Sequence, residues 1–163
     1  MGTSARIVIQ QCLAATLRLN PESEVSEAEY AKIKQGMVVF VCFLKGANRE
    51  LVEKMVKQVL GIKLCEGKDG KLTSITDLPG DLLIIPQACL GGKLKGKSVQ
   101  YHSIINKTDG SDLYRTFVEL CTDSFQQTSA MQEAGCVVKS GVYGNRQVLN
   151  METNGPFTHI VDF

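Results

Sequence analysis

Two segments of this chain contain residue types that folding alone does not require. The first is Pro86-Gln87-Ala88-Cys89-Leu90-Gly91-Gly92, placed directly after the apolar run of residues 82–85. Proline ends a strand and the paired glycines let the chain turn closely, so the backbone amides of Gln87, Ala88, Cys89 and Leu90 are expected to be unpaired at a sheet rim. N–H groups gathered in this way can hold an oxyanion or a ribose. The second is Thr153-Asn154-Gly155-Pro156-Phe157-Thr158. Gly155-Pro156 fixes the carbonyl directions of a tight loop, and X-Pro is the one bond at which the cis form is cheap. Either segment alone also reads as ordinary turn punctuation.

Cys89 offers a competing chemistry, a thiolate nucleophile. Such an enzyme needs a base, and the chain has two histidines, His102 and His159, neither with an orienting partner nearby in sequence. His159 alternates with Phe157 and Val161 and reads as structural; His102 reads as a surface residue. None of the six cysteines forms a CxxC pair, and zinc-ligand spacing is absent, so neither a metal nor another cofactor is expected. Cys12, Cys42, Cys121 and Cys136 have apolar sequence neighbours and read as buried free thiols.

A net charge of +1 excludes a general nucleic-acid coating protein, and any RNA contact must come from a local patch. Lys93, Lys95 and Lys97, spaced by Leu94 and Gly96, form one such candidate, although a solvated loop would look the same. No apolar run approaches the roughly 18 to 20 residues that span a bilayer, and the N-terminal residues lack the apolar core of a secretory signal. The expected location is therefore the cytosol, with no membrane and no DNA partner.

The elements that must position these segments follow from periodicity. Residues 5–19 suggest two short strands, and residues 21–34 a polar loop with some helical turn. Residues 37–44 form an unbroken apolar run rich in β-branched residues, the mark of a central strand buried on both faces. Asn48 can cap a helix to Leu60, closed by Gly61, with Glu50–Lys54 and Glu53–Lys57 pairs on its wet face. Short strands are expected over 71–75 and 81–85. A second helix is expected after Ser111, burying Leu113, Tyr114, Phe117, Val118, Cys121 and Phe125. Strands near 136–139, 146–151 and 157–163 complete a single domain, residues 1–163. The order of elements predicts an α/β or mixed α+β fold.

Taken together, Val8-Ile9-Gln10, the Gln87 motif and Asn154-Gly155-Pro156-Phe157-Thr158 resemble the D-aminoacyl-tRNA deacylases in order and spacing. Gln11 stands where the main branch has arginine, and Pro86-Gln87-Ala88-Cys89 where it has Ser-Gln-Phe-Thr. With Leu90-Gly91-Gly92 and residues 143–149, these departures resemble the animal-specific branch. The resemblance implies a mixed β-sheet or barrel with two main helices, and a homodimer in which the partner's Gly-Pro loop completes each site. It implies removal of wrongly attached amino acids from tRNA: L-alanine on threonine tRNA, glycine and D-amino acids. It assigns no side-chain nucleophile; amides of the Gln87 motif hold the ester while the 2′-hydroxyl of the terminal adenosine assists. Selectivity falls to Asn154, Gly155, Pro156 and Thr158, with a trans Gly155-Pro156 bond and Gln11 leaving the loop unlocked. Lys93, Lys95, Lys97 and Arg146, with Gly91 and Gly92, are the expected tRNA contacts. The alternatives are a catalytically silent RNA-binding module and a Cys89-dependent thiol hydrolase.

Overall fold

A computed structural model describes residues 2–20, 23 and 27–163. Its strands are β1 (Ala5–Cys12), β2 (Ala14–Arg18), β3 (Tyr30–Ile33), β4 (Gly36–Phe43), β5 (Cys65–Glu66), β6 (Leu72–Thr73), β7 (Asp81–Pro86), β8 (Lys93–Lys95), β9 (Ser98–Gln100), β10 (Val138–Ser140), β11 (Val148–Glu152) and β12 (Thr158–Asp162). The helices are α1 (Arg49–Gly61), α2 (Lys107–Gln127) and the short α3 (Ser129–Glu133).

Five strands form a sheet in the order β10-β7-β4-β1-β12. It is mixed, because β4–β7 and β7–β10 pair in parallel while β1 pairs antiparallel with both β4 and β12. The parallel pairs need crossovers, and α1 and α2 lie in those connections. A second sheet, β11-β2-β3, packs on the other face. The chain passes between the two sheets at Leu13, the single residue separating β1 from β2.

Strand alternation divides β4 and β7 between two cores. Met37, Val39, Val41, Phe43, Leu82 and Ile84 face Val52, Met55, Val56 and Val59 of α1 and Tyr114, Phe117, Cys121 and Phe125 of α2. Val38, Leu83 and Ile85 face Ala15, Leu17, Ala31 and Ile33 of the smaller sheet. This explains why residues 37–44 read as continuous apolar sequence with no amphipathic stripe. At Gly36 the pairing of β4 with β7 is so close that a Cβ would collide with the Asp81 carbonyl oxygen.

Several boundaries differ from expectation. Gly61 is the last residue of α1 and adopts no left-handed cap; Ile62, in extended conformation, ends the helix by donating to Gln58. Glu53 pairs with Arg49 at 3.5 Å rather than with Lys57, while Lys54–Glu50 forms as expected at 3.1 Å. The second helix begins at Lys107 rather than after Ser111, because Asn106 accepts the Asp109 amide at 2.9 Å. The strand expected over 71–75 shrinks to Leu72–Thr73, paired only with Cys65–Glu66. Of residues 21–34, positions 21, 22 and 24–26 lie outside the described residues, and the end of the segment is strand β3 rather than helical turn. Cys136 is half-buried, so it is not one of the core thiols, whereas Cys65 is. No helix among the described residues is long and apolar enough to cross a membrane.

Candidate functional site

The turn after β7 is one turn of 3-10 helix over Ala88–Gly91. It sits above the ends of β4 and β1, held by specific contacts. Gln87 N–H donates to the Val41 carbonyl at 2.9 Å and Leu90 N–H to the Gln87 carbonyl at 3.2 Å. Beneath it, Cys42 Sγ donates to the Ala88 carbonyl at 3.4 Å, and burial pushes that thiol pKa up. Arg6 reaches the Leu90 carbonyl with Nη1 at 3.3 Å while gripping both Asp162 oxygens at 2.6 and 2.9 Å. The guanidinium holds the Asp162 carboxyl below its ordinary pKa.

This geometry corrects part of the expectation. The Gln87 and Leu90 amides bond within the chain, so they are not open to a ligand. The Ala88 and Cys89 amides have no acceptor among the described residues, and both residues are exposed. They are the leading N–H groups of a helical turn, where donors have no partner in the turn itself. An anionic oxygen placed here could take two hydrogen bonds. Cys89 is the one exposed cysteine among the described residues, and its sulfur accepts from Gln87 Nε2 at 3.3 Å. Among the described residues no histidine hydrogen-bonds to it, and a thiol nucleophile needs such a base.

The proposed cations gather around the same end of the sheet. Lys93 and Lys95 lie on β8 and Lys97 follows the turn at Gly96 (φ 61°), all exposed on a hairpin that grows directly out of the 3-10 turn. Arg146 is exposed in the 141–147 loop, which leaves β10 beside Pro86. Gly91 and Gly92 are packed rather than open. A Cβ on Gly91 would lie 2.7 Å from Leu44, and one on Gly92 would lie 2.6 Å from Val99. Their role in this chain is close packing under the hairpin. Sequence reasoning missed Lys107, exposed at the α2 start and close to Gly144.

The Gly155–Pro156 loop is at the opposite end of the sheet. Arg6 marks the 3-10 turn and Gln10 marks the loop, and the four residue steps of β1 from one to the other span about 13 Å. All described peptide bonds are trans, Gly155–Pro156 included. The loop is pinned to β1 by buried glutamines. Gln10 Nε2 donates to Thr153 Oγ1 at 3.1 Å and to the Gly155 carbonyl at 3.2 Å, while the Thr158 hydroxyl donates to Gln10 Oε1. Gln11 Nε2 donates to Asn154 Oδ1 at 2.6 Å and to Thr153 Oγ1 at 3.2 Å. Gln11 therefore does not leave the loop unlocked. It replaces the lock expected of arginine by a neutral one, because a side-chain amide beside two oxygen acceptors bonds them without a charge.

A cleft of about 280 Å³ runs under the loop between Gln11, Glu66, Leu72, Asn154, Gly155 and Phe157. A larger one, about 560 Å³, lies between α1 and α2 and touches neither motif. His159 stacks edge-on against Phe157 at 4.5 Å and is half-buried, in keeping with a structural role. Among the described residues no group of His, Cys, Asp or Glu could hold a metal ion.

Comparison with known proteins agrees with these motifs. Residues 8–162 match the model of the D-Tyr-tRNA(Tyr) deacylase family. The chain is 50% identical over 159 residues to D-aminoacyl-tRNA deacylase 2 of Gallus gallus, which covers 98% of this chain and 95% of that protein. The protein of the same name from Homo sapiens is also 50% identical over 159 residues, with the same coverage. A solved structure described as a probable eukaryotic D-amino acid tRNA deacylase aligns with a TM-score of 0.80 at 28% identity, covering 98% of this chain and 100% of its own. The two motifs, the mixed sheet that carries them and these similarities agree: the chain belongs to the D-Tyr-tRNA(Tyr) deacylase family, whose members are aminoacyl-tRNA ester hydrolases.

Proposed function

We propose that this chain removes wrongly attached amino acids from tRNA in the cytosol, acting as a homodimer on L-alanyl esters of threonine tRNA, on glycyl esters and on D-aminoacyl esters. The observation that carries this reading is the separation of the two motifs. One chain holds the 3-10 turn and the Gly155–Pro156 loop at opposite ends of its sheet, tied to Arg6 and Gln10 respectively. A loop that selects substrate at a site built on Ala88 and Cys89 must then come from a second copy. An open apolar row supports such a contact: Ile160, 67% exposed, lies opposite Val8, which lies opposite Phe40, and β12 is an edge strand with no strand on its outer side among the described residues.

In this reading the ester carbonyl sits against the Ala88 and Cys89 amides, which take up the charge of the tetrahedral intermediate. An aminoacyl ester is already activated, so fixing its position and that of water supplies much of the needed acceleration. The ribose 2′-hydroxyl of the terminal adenosine assists and restricts the reaction to RNA-linked esters. The partner's Gly155–Pro156 loop faces the amino-acid side chain. With its bond trans and its Gly155 carbonyl drawn toward β1, it leaves room for a small L-residue.

The test is release of amino acid from L-alanyl-tRNA specific for threonine, from a D-aminoacyl-tRNA and from L-threonyl-tRNA specific for threonine. Turnover of the first two with the third spared is the expected result. Turnover of the D-substrate alone would remove the L-alanyl assignment. No turnover at all would leave the silent RNA-binding module as the better reading.

A further inference from the structure

The Gly155 carbonyl oxygen accepts from Thr153 Oγ1 at 2.7 Å, Phe157 N at 2.8 Å and Gln10 Nε2 at 3.2 Å. A carbonyl oxygen has two lone pairs, so three donors saturate it. Phe157 N–H would follow the peptide wherever the tight turn goes, because it lies within the turn. Gln10 Nε2 is shared, since its two N–H groups also serve the Gln11 carbonyl at 2.7 Å and Thr153 Oγ1 at 3.1 Å. Thr153 differs from both. It has one proton, and that proton goes to Gly155.

The same hydroxyl oxygen accepts from Gln10 Nε2 at 3.1 Å, Gln11 Nε2 at 3.2 Å and the Gly155 amide at 3.4 Å. The glutamines are 4% and 8% exposed, so their amide groups have little access to water and depend on these partners. Two donors from β1 occupy the hydroxyl's lone pairs and thereby direct its proton outward to Gly155. Thr153 is thus the joint through which both buried glutamines set the direction of the Gly155 carbonyl.

We infer that Thr153 is a specificity-determining positioning residue, whose hydroxyl holds the Gly155 carbonyl against its own subunit and so keeps the partner's amino-acid pocket open to L-alanine. This rests on the proposed reading that the loop faces that pocket. Without the hydroxyl the carbonyl loses its shortest hydrogen bond, and Gln10 and Gln11 lose their common acceptor. The carbonyl then keeps only the Phe157 amide, which moves with the turn, and the shared Gln10 Nε2, so it can turn toward the pocket, where it would exclude the side chain of an L-residue but not that of a D-residue.

Deacylation of L-alanyl-tRNA and D-aminoacyl-tRNA by wild type, Thr153→Val, Thr153→Ala and Thr153→Ser tests this, with thermal melting and sedimentation run on each variant. Valine keeps the shape and removes the hydroxyl; alanine serves if valine does not fold; serine restores the hydroxyl. In the folded hydroxyl-free variant the ratio of kcat/KM for the L-alanyl over the D-substrate is expected to fall about tenfold or more. Serine is expected to stay within about threefold of wild type. An unchanged ratio in a folded dimeric variant, or an equal loss on both substrates, overturns the inference while the proposed function stands. A wild type that releases amino acid from neither substrate overturns both.

Discussion

The Ala88 amide and the Cys89 thiol are neighbours in one turn yet belong to different mechanisms. If backbone amides hold the oxyanion, the Cys89 thiol is incidental and the Ala88 N–H is not. Ala88 opens the 3-10 turn, a position at which proline is tolerated because no intrahelical bond is lost. Ala88→Pro therefore deletes one donor with little change in shape and is expected to lower kcat by about 10²- to 10³-fold. Cys89→Thr keeps the amide and removes the thiol, and is expected to remain within about tenfold of wild type. The check is single-turnover deacylation by both variants, with melting to establish folding. The reverse pattern, an inert threonine variant and an active proline variant, would establish the thiol mechanism. At this scale the sequence already pointed to the turn, because a proline, a glutamine and paired glycines after an apolar run are a local signal. Which amides stay free was not legible. Gln87 bonds to Val41, and only the pairing of β4 with β7 brings those residues together.

Elements with strong local signals were readable, and those built from distant partners were not. The buried strand β4 and the Asn48 cap of α1 follow from a run of apolar residues and one side chain that accepts the Leu51 amide at 2.9 Å. The start of α2 was misplaced because Ser111 and Asn106 are both good capping residues, and helix periodicity in the buried face does not resolve the first turn. Asn106 caps with Oδ1 on the Asp109 amide, and its Nδ2 bonds the Asp109 carboxylate at 2.6 Å. Asn106→Ala is expected to cost about 1 kcal/mol, a fall in Tm of about 2–4 °C for a chain of this size. Ser111→Ala should change Tm by less than half as much; equal effects would put the cap elsewhere. The β8–β9 hairpin was read only as a basic loop, since Leu94 and Val99 are 76% and 47% exposed and give no buried face to detect. If its lysines meet phosphates, replacing Lys93, Lys95 and Lys97 by glutamine should raise KM and leave kcat nearly unchanged. The slope of log KM against log salt should flatten by about one for each lysine in contact. An unchanged slope would make the hairpin a solvated loop.

For the molecule as a whole, the two motifs are tied to opposite ends of one short strand, β1, and in the proposed homodimer they serve different sites. The unbroken apolar run alone placed residues 37–44 between two layers. The contacts of Gln10 and Gln11 with residues 153–155 close the chain from its first strand to its last, and the pairings of β1 with β12 and of β2 with β11 bring them together. The sequence shows that both motifs exist. It does not show that one chain holds them apart, and this separation makes a decisive experiment possible. Gly155 has open space around its missing Cβ and no positive φ, so Gly155→Trp should fold and dimerise while filling the partner's pocket. Ala88→Pro damages the other half of the site. Each homodimer should be nearly inactive. When the two variants are unfolded, mixed in equal amounts and refolded, half of the dimers are mixed. Each mixed dimer has one site with both lesions and one with neither, so about a quarter of wild-type activity should return. Recovery requires that the site be shared between subunits. If instead each chain carried its own complete site, every chain in the mixture would keep its lesion, and no activity above that of the separate variants would appear.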